Sequence, residues 1–227
     1  MPVTRLMQPL LCLAYFMGTS VSAGTFTVNV TDNGGERLGD AVVELIPTAK
    51  TAATLPTNKH YEMRQQNRVF SPFVLAVPQG AQVDFPNLDR TRHHVYSFSE
   101  AKQFELKLYV GQAESPISFE KPGLVAIGCN IHDYMQAFIY VAASPYFAVS
   151  NETGLASIDN IPDGEYQIRL WHPWQLADPA PTTIMINDAN NHLTVNIDVK
   201  REEKPSSPPS GFGVQHHVST YMGQHAK

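Results

Sequence analysis

The stretch PGLVAIGCNIHDYM, residues 122–135, begins as one kind of structure and ends as another. Pro122-Gly123 is a turn signal, and the apolar run that follows reads as a short buried β-strand. Beyond Gly128, Cys129, His132 and Met135 follow at intervals of three. That spacing puts a thiolate, an imidazole and a thioether on one tight loop. Each residue alone has an ordinary explanation, and a buried inert cysteine is the simplest. Together, two soft donors and an imidazole point to a metal ion.

The chain before this stretch sets its surroundings. MPVTRLMQPLLCLAYFMGTSVSAG carries one basic residue, Arg5, then an apolar run from Leu10 to Met17 and small residues at Val21-Ser22-Ala23. This pattern predicts a cleaved export signal over residues 1–23, with Gly24 first in the mature chain and a periplasmic or secreted product. The apolar run is too short to span a bilayer, and no later run approaches the ~18 apolar residues that spanning requires, so no stable membrane insertion is expected. Cleavage removes Cys12 and leaves Cys129 as the one thiol, which excludes an intramolecular disulfide. Lys plus Arg total 16 against 21 Asp plus Glu, so there is no basic footprint for nucleic acid.

From Gly24 to Lys200 the pattern is all-β. Eleven runs rich in β-branched and aromatic residues recur between turns: TFTVNV, AVVELI, FVLAV, QVDF, HVYSF, FELKLYV, LVAIG, AFIYVA, YQIRLW, TTIMI and HLTVNIDV. Turns are expected at Asn33-Gly34-Gly35, Pro78-Gln79-Gly80, Pro122-Gly123 and Pro162-Asp163-Gly164. Two small β-sandwiches, or one large one, suit this pattern. From Arg201 onward Pro, Ser and Gly reach linker density, and residues 201–227 read as a disordered tail. His216, His217, Met222 and His225 lie in that tail and are read as chance neighbours. His60 is expected at an exposed strand start, and His172, between Trp171 and Pro173-Trp174, in an apolar corner.

Two histidines and a cysteine in a trigonal plane, with a weak axial methionine, make an electron-transfer copper site. The loop supplies three of those four ligands, so a second histidine is sought on an adjacent strand. Upstream, residues 80–95 show Gly-x-x-Val-x-Phe-x-Asn-x-Asp and then His-x-Val, before the long gap to Cys-x2-His-x2-Met. This order resembles the cupredoxin family of type 1 blue copper proteins, including plastocyanin and pseudoazurin, and its loop spacing is most similar to amicyanin. It is similar also to the periplasmic cupredoxin-like proteins labelled methylamine utilisation proteins, a label that does not establish that role. The resemblance covers residues 61–143 and implies a Greek-key sandwich. It implies one mononuclear copper held by His93, Cys129, His132 and Met135. His94 is the alternative to His93, since strand alternation points only one of them inward. Gly128, Ile131 and Asp133 depart from the family, which has an aromatic residue, a proline and an apolar surface at those places.

A copper-A centre needs two cysteines. Zinc accepts thioether poorly. A cysteine nucleophile based on His93 lacks a third group or an oxyanion arrangement. No enzymatic turnover is expected. The flanking segments, TFTVNVTDNGGERLGDAVVELIP and YFAVSNETGLASIDNIPDGEYQIRLWHP, resemble a carboxypeptidase regulatory-like, transthyretin-like sandwich. Its two parts, residues 24–60 and 144–200, would enclose the copper domain; two sandwiches in tandem are the alternative. The reading is a periplasmic copper protein engaged in one-electron transport with an unidentified redox protein. The alternatives are a copper carrier or reservoir, and a binding module with a vestigial metal site.

Overall fold

A computed structural model describes residues 23–49 and 60–206; the expected export segment up to residue 22 and the tail histidines lie outside them. Among the described residues there are seventeen strands and no helix. The first two are β1 (Ala23–Asp32) and β2 (Val42–Pro47). The next ten are β3 (Tyr61–Glu62), β4 (Arg64–Gln66), β5 (Val69–Ser71), β6 (Val74–Pro78), β7 (Ala81–Asp84), β8 (His93–Ser99), β9 (Lys102–Tyr109), β10 (Ile117–Phe119), β11 (Gly123–Gly128) and β12 (Gln136–Ala142). The last five are β13 (Tyr146–Val149), β14 (Leu155–Pro162), β15 (Gly164–Trp171), β16 (Thr182–Ile186) and β17 (His192–Ile197).

The strands form two sandwiches with separate cores. In the first, a sheet ordered β14-β1-β17 packs on one ordered β13-β2-β15-β16. Phe26, Val28 and Val30 alternate inward along β1 and meet Val43 and Leu45 of β2 and Tyr166 and Ile168 of β15. Each such buried side chain contributes about 1.5–3 kcal/mol, and a one-residue slip would turn the whole β1 row to solvent. Among the described strands, β1 and β2 pair only with ones from Tyr146 onward, roughly a hundred residues or more along the chain. In the second sandwich a sheet ordered β6-β12-β11-β8-β9 faces one ordered β10-β7-β3, with the β4–β5 hairpin at one end. Its core sets Val83, Phe85 and Phe119 against Val95, Val125, Ile127 and Ile139.

A polar and aromatic seam joins the two. Glu44 of β2 is 1% exposed, and its carboxylate accepts hydrogen bonds from Tyr140 Oη (2.8 Å), Ala143 N (2.7 Å) and Ser144 N (2.8 Å). Burial, with the neighbouring Glu44, pushes the Tyr140 hydroxyl pKa well up. Trp171 lies against Phe138 (5.6 Å between ring centroids) and Tyr140 (6.0 Å), and Trp174 against Phe73 (5.9 Å). The two tryptophans thus face the other sandwich, and Trp174 also packs on its own core. At the far end the chain stays in contact past Lys200. Arg201 binds Asp32 (2.6 Å) and the Arg37 carbonyl (2.7 Å), and Lys204 pairs with Asp40.

His172, 1% exposed, donates from Nε2 to the Gly39 carbonyl (3.1 Å) and accepts the Trp174 N–H at Nδ1 (3.1 Å). Both partners suit a neutral ring, and burial lowers its pKa to about 4. In the unfolded chain the ring protonates near 6.5, so the unfolded state takes up a proton first as pH falls. Stability is therefore lost between about pH 6.5 and about pH 4, by about 3 kcal/mol in total at ~1.4 kcal/mol per unit. Urea unfolding midpoints should decline over this window. His172→Gln, which keeps one donor and one acceptor, should flatten the decline; an equally steep fall in the variant contradicts the assignment.

Candidate metal centre

β8 and the β11–β12 connection bring the site together. β11 ends at Gly128, which pairs with Tyr96 on one side and Gln136 on the other. A side chain at Gly128 would place its Cβ 3.1 Å from the Tyr96 ring, so that ring would have to shift by a few tenths of an ångström to admit one. The 129–135 loop is closed by backbone hydrogen bonds from Cys129 N to the Met135 carbonyl (3.2 Å) and from Met135 N to the His132 carbonyl (2.8 Å). It carries Cys129, His132 and Met135 inward, at 2%, 9% and 1% exposure, and leaves Ile131 exposed.

His93, Cys129 and His132 each contribute one donor atom to a cluster whose members all lie within 4.8 Å of one another. Donors sharing one ion at bond lengths of about 2.0–2.3 Å sit up to about 4.5 Å apart, so small adjustments close this arrangement on a single ion. The imidazole rings of His93 and His132 are 5.1 Å apart. Nδ1 of each is buried without a hydrogen-bond partner, a costly state that a metal ion would relieve. Burial, then the neighbouring His93 and Arg68, lowers the His132 pKa, favouring the neutral ring that ligation needs. Met135 lines the same shallow groove as Cys129. The donor set of one thiolate, two imidazoles and a nearby thioether suits copper better than zinc.

Both adjacent histidines are buried, but on opposite faces of β8: His93 lies with Val95 and Ser97 on the core side, and His94 with Tyr96 on the other, so alternation holds. The β8–β9 ladder slips between His93 and Val95, with the extra residue on β9. His94 turns to Glu105 of β9 (Nε2···Oε1, 2.8 Å) and lies against Tyr96 (5.5 Å). Its Nδ1 is also unpartnered, so the orphaned nitrogen alone does not separate the two residues. Convergence does: the cluster takes His93 and not His94.

One further residue belongs here that sequence reasoning reached only as a letter in a pattern. Asp89 Oδ2 lies 2.8 Å from His93 Nε2. Burial alone would raise the Asp89 pKa, but the Arg68 N–H, His93 and the Asn67 N–H outweigh it and hold the carboxylate below its ordinary value. Its position four residues before His93 was the available signal. By contrast, His60 is exposed and pairs with Asp84 (2.9 Å), Met63 is in the core, and His172 is held as described.

No protein-family model matches the chain, and no curated protein matches it. Solved structures similar to part of it include three copper proteins. A copper-containing nitrite reductase from Thermus scotoductus SA-01 is 25% identical, with a TM-score of 0.35, over 41% of this chain and 24% of its own, so the match spans about a quarter of that enzyme. A variant of amicyanin in its reduced Cu(I) form is 18% identical with a TM-score of 0.32, over 45% of this chain and 98% of its own. A purple cupredoxin from Nitrosopumilus maritimus is 20% identical with a TM-score of 0.31, over 36% of this chain and 99% of its own.

Proposed function

We propose that the chain is an exported, periplasmic type 1 copper protein of the cupredoxin family that passes single electrons between redox protein partners, without catalytic turnover. The observation that carries this reading is the buried His93–Cys129–His132 cluster with two orphaned Nδ1 atoms. His93, Cys129 and His132 would hold the ion, with Met135 as the weak fourth ligand. Bound copper would supply one-electron redox chemistry. The protein supplies a nearly unchanging frame: His93 sits on a strand, and the loop is anchored at both ends by β11 and β12. A frame that resists rearrangement keeps the cost of changing oxidation state low. His132 is the least buried of the four ligands and offers the shortest way out to a partner.

In this reading residues 61–143 form the copper domain, inserted into a regulatory-like sandwich made of residues 24–60 and 144–200. The pairing of β1 with β14 and β17, and of β2 with β13 and β15, supports that division. The sandwich resembling a carboxypeptidase regulatory-like module would present the copper domain rigidly to partners, as the Glu44 seam suggests. No amine-oxidation role follows from the methylamine utilisation label.

Electron self-exchange separates this function from copper delivery. NMR line broadening on mixed Cu(I) and Cu(II) samples should show fast exchange, with no copper passing to an apo acceptor. Slow exchange with ready donation of the metal would make the protein a copper carrier and leave the ligand set unchanged.

A further inference from the structure

Whatever leaves this centre, the first ligand must be fixed before an ion arrives. We infer that Asp89 is a positioning residue that holds His93 in its Nε2–H tautomer and so aims the Nδ1 lone pair at Cys129 and His132. The inference rests on the copper reading above for its purpose, though not for its geometry.

The carboxylate is clamped from three sides. Oδ1 accepts the Asn67 N–H (2.7 Å), and Oδ2 accepts both the Arg68 N–H (2.9 Å) and the His93 Nε2–H (2.8 Å). Asn67 and Arg68 form the two-residue turn between β4 and β5, both at positive φ (56° and 61°), which sends consecutive N–H groups toward one acceptor. Main-chain donors have no rotamer freedom, so the carboxylate cannot swing away without leaving both turn N–H groups unpaired. On its other side Asp89 N donates to Asn87 Oδ1 (3.0 Å). Asn87 is itself fixed by Nδ2 bonds to the Thr91 (2.9 Å) and Tyr109 (2.7 Å) carbonyls.

An ionised carboxylate only accepts, so His93 must present a proton at Nε2 and a lone pair at Nδ1. That is the nitrogen left buried and unpartnered. A carboxylate behind a ligating histidine also raises the ring's basicity, and losing such a partner typically costs 10–100-fold in metal affinity. The β4–β5 hairpin, remote from Cys129 in sequence, thereby becomes part of the centre's scaffold.

The test reads the apo protein first. Long-range 15N–1H NMR at about pH 8, where an ordinary imidazole is neutral, should show His93 as the Nε2–H tautomer. In Asp89→Ala the ring should shift to mixed or Nδ1–H tautomers, and copper affinity by chelator competition should fall about 10–100-fold. Asp89→Asn keeps one oxygen for Nε2–H and should hold the tautomer with a loss of less than about tenfold. Asp133→Asn, an equal charge change on the loop, should leave the tautomer as it was. A Nδ1–H tautomer in the unaltered protein overturns the proposal even if Asp89→Ala fails to fold. So does an unchanged tautomer and affinity in a folded Asp89→Ala. If the unaltered protein binds no copper but Asp89→Ala still releases the tautomer, the positioning role stands and the copper reading falls.

Discussion

Cys129→Ser is expected to abolish the intense visible absorption of the Cu(II)-loaded protein and to weaken copper binding by more than about 100-fold. The bound exceeds what loss of an outer-sphere partner costs, because here a soft ligand itself is removed. Serine has nearly the same shape but a hard hydroxyl that does not ionise near neutral pH, so the site remains without its thiolate. Cys129 is the only free cysteine among the described residues, so no second sulfur of that kind can take its place. Near-UV circular dichroism of the apo variant should match the parent, since the buried volume barely changes. Met135→Leu makes the complementary case. Its spectrum should keep the thiolate band while the reduction potential rises, because an axial donor that favours Cu(II) has gone. A Cys129→Ser protein that stays coloured contradicts the ligand assignment.

The second large effect lies at the seam. Glu44→Ala is expected to destabilise the protein by about 3–5 kcal/mol, since three hydrogen bonds to one charged acceptor, each worth about 1.5–3 kcal/mol, are lost together. Its loss leaves the buried Ser144 N–H and the part-buried Ala143 N–H and Tyr140 hydroxyl without their acceptor. Glu44→Gln should cost only about 1 kcal/mol, because its amide oxygen still serves both backbone donors while its NH2 faces the Tyr140 oxygen. Urea unfolding followed by tryptophan fluorescence reads both variants, since Trp171 and Trp174 border the same seam. Equal losses for Ala and Gln would mean the carboxylate is not the element joining the sandwiches.

All eleven β-rich runs coincide with strands, because each combines apolar alternation with flanking turns. The strands that were not legible failed that pattern for local reasons. β14 carries Asn160 at φ 57°, which breaks the two-residue period between Ile158 and Ile161. β3, β4 and β5 are two or three residues long and include Arg64, Gln65 and Gln66, so no window of alternation exists. Gln65 is buried for a reason found elsewhere: its amide donates to the Phe85 carbonyl (3.0 Å). The loop donors were readable because they are adjacent in the chain. The burial of His94 on the face opposite His93 was not, since it depends on Glu105 of β9 and the Tyr96 ring covering it there. Asp89 was visible as a residue but not as a partner, because its clamp is a turn more than twenty residues away. Trp171 and Trp174 read correctly as apolar. Which surface they meet depends on Phe73, Phe138 and Tyr140 across the seam.

The claim on which the rest depends is that one ion sits among Cys129, His93 and His132. X-ray absorption at the copper edge, on protein loaded with one equivalent and washed of excess, reads those neighbours directly. The account predicts one short sulfur contact and two imidazole nitrogens, the sulfur vanishing in Cys129→Ser. A first sphere of nitrogen and oxygen alone, or one unchanged in that variant, would contradict it.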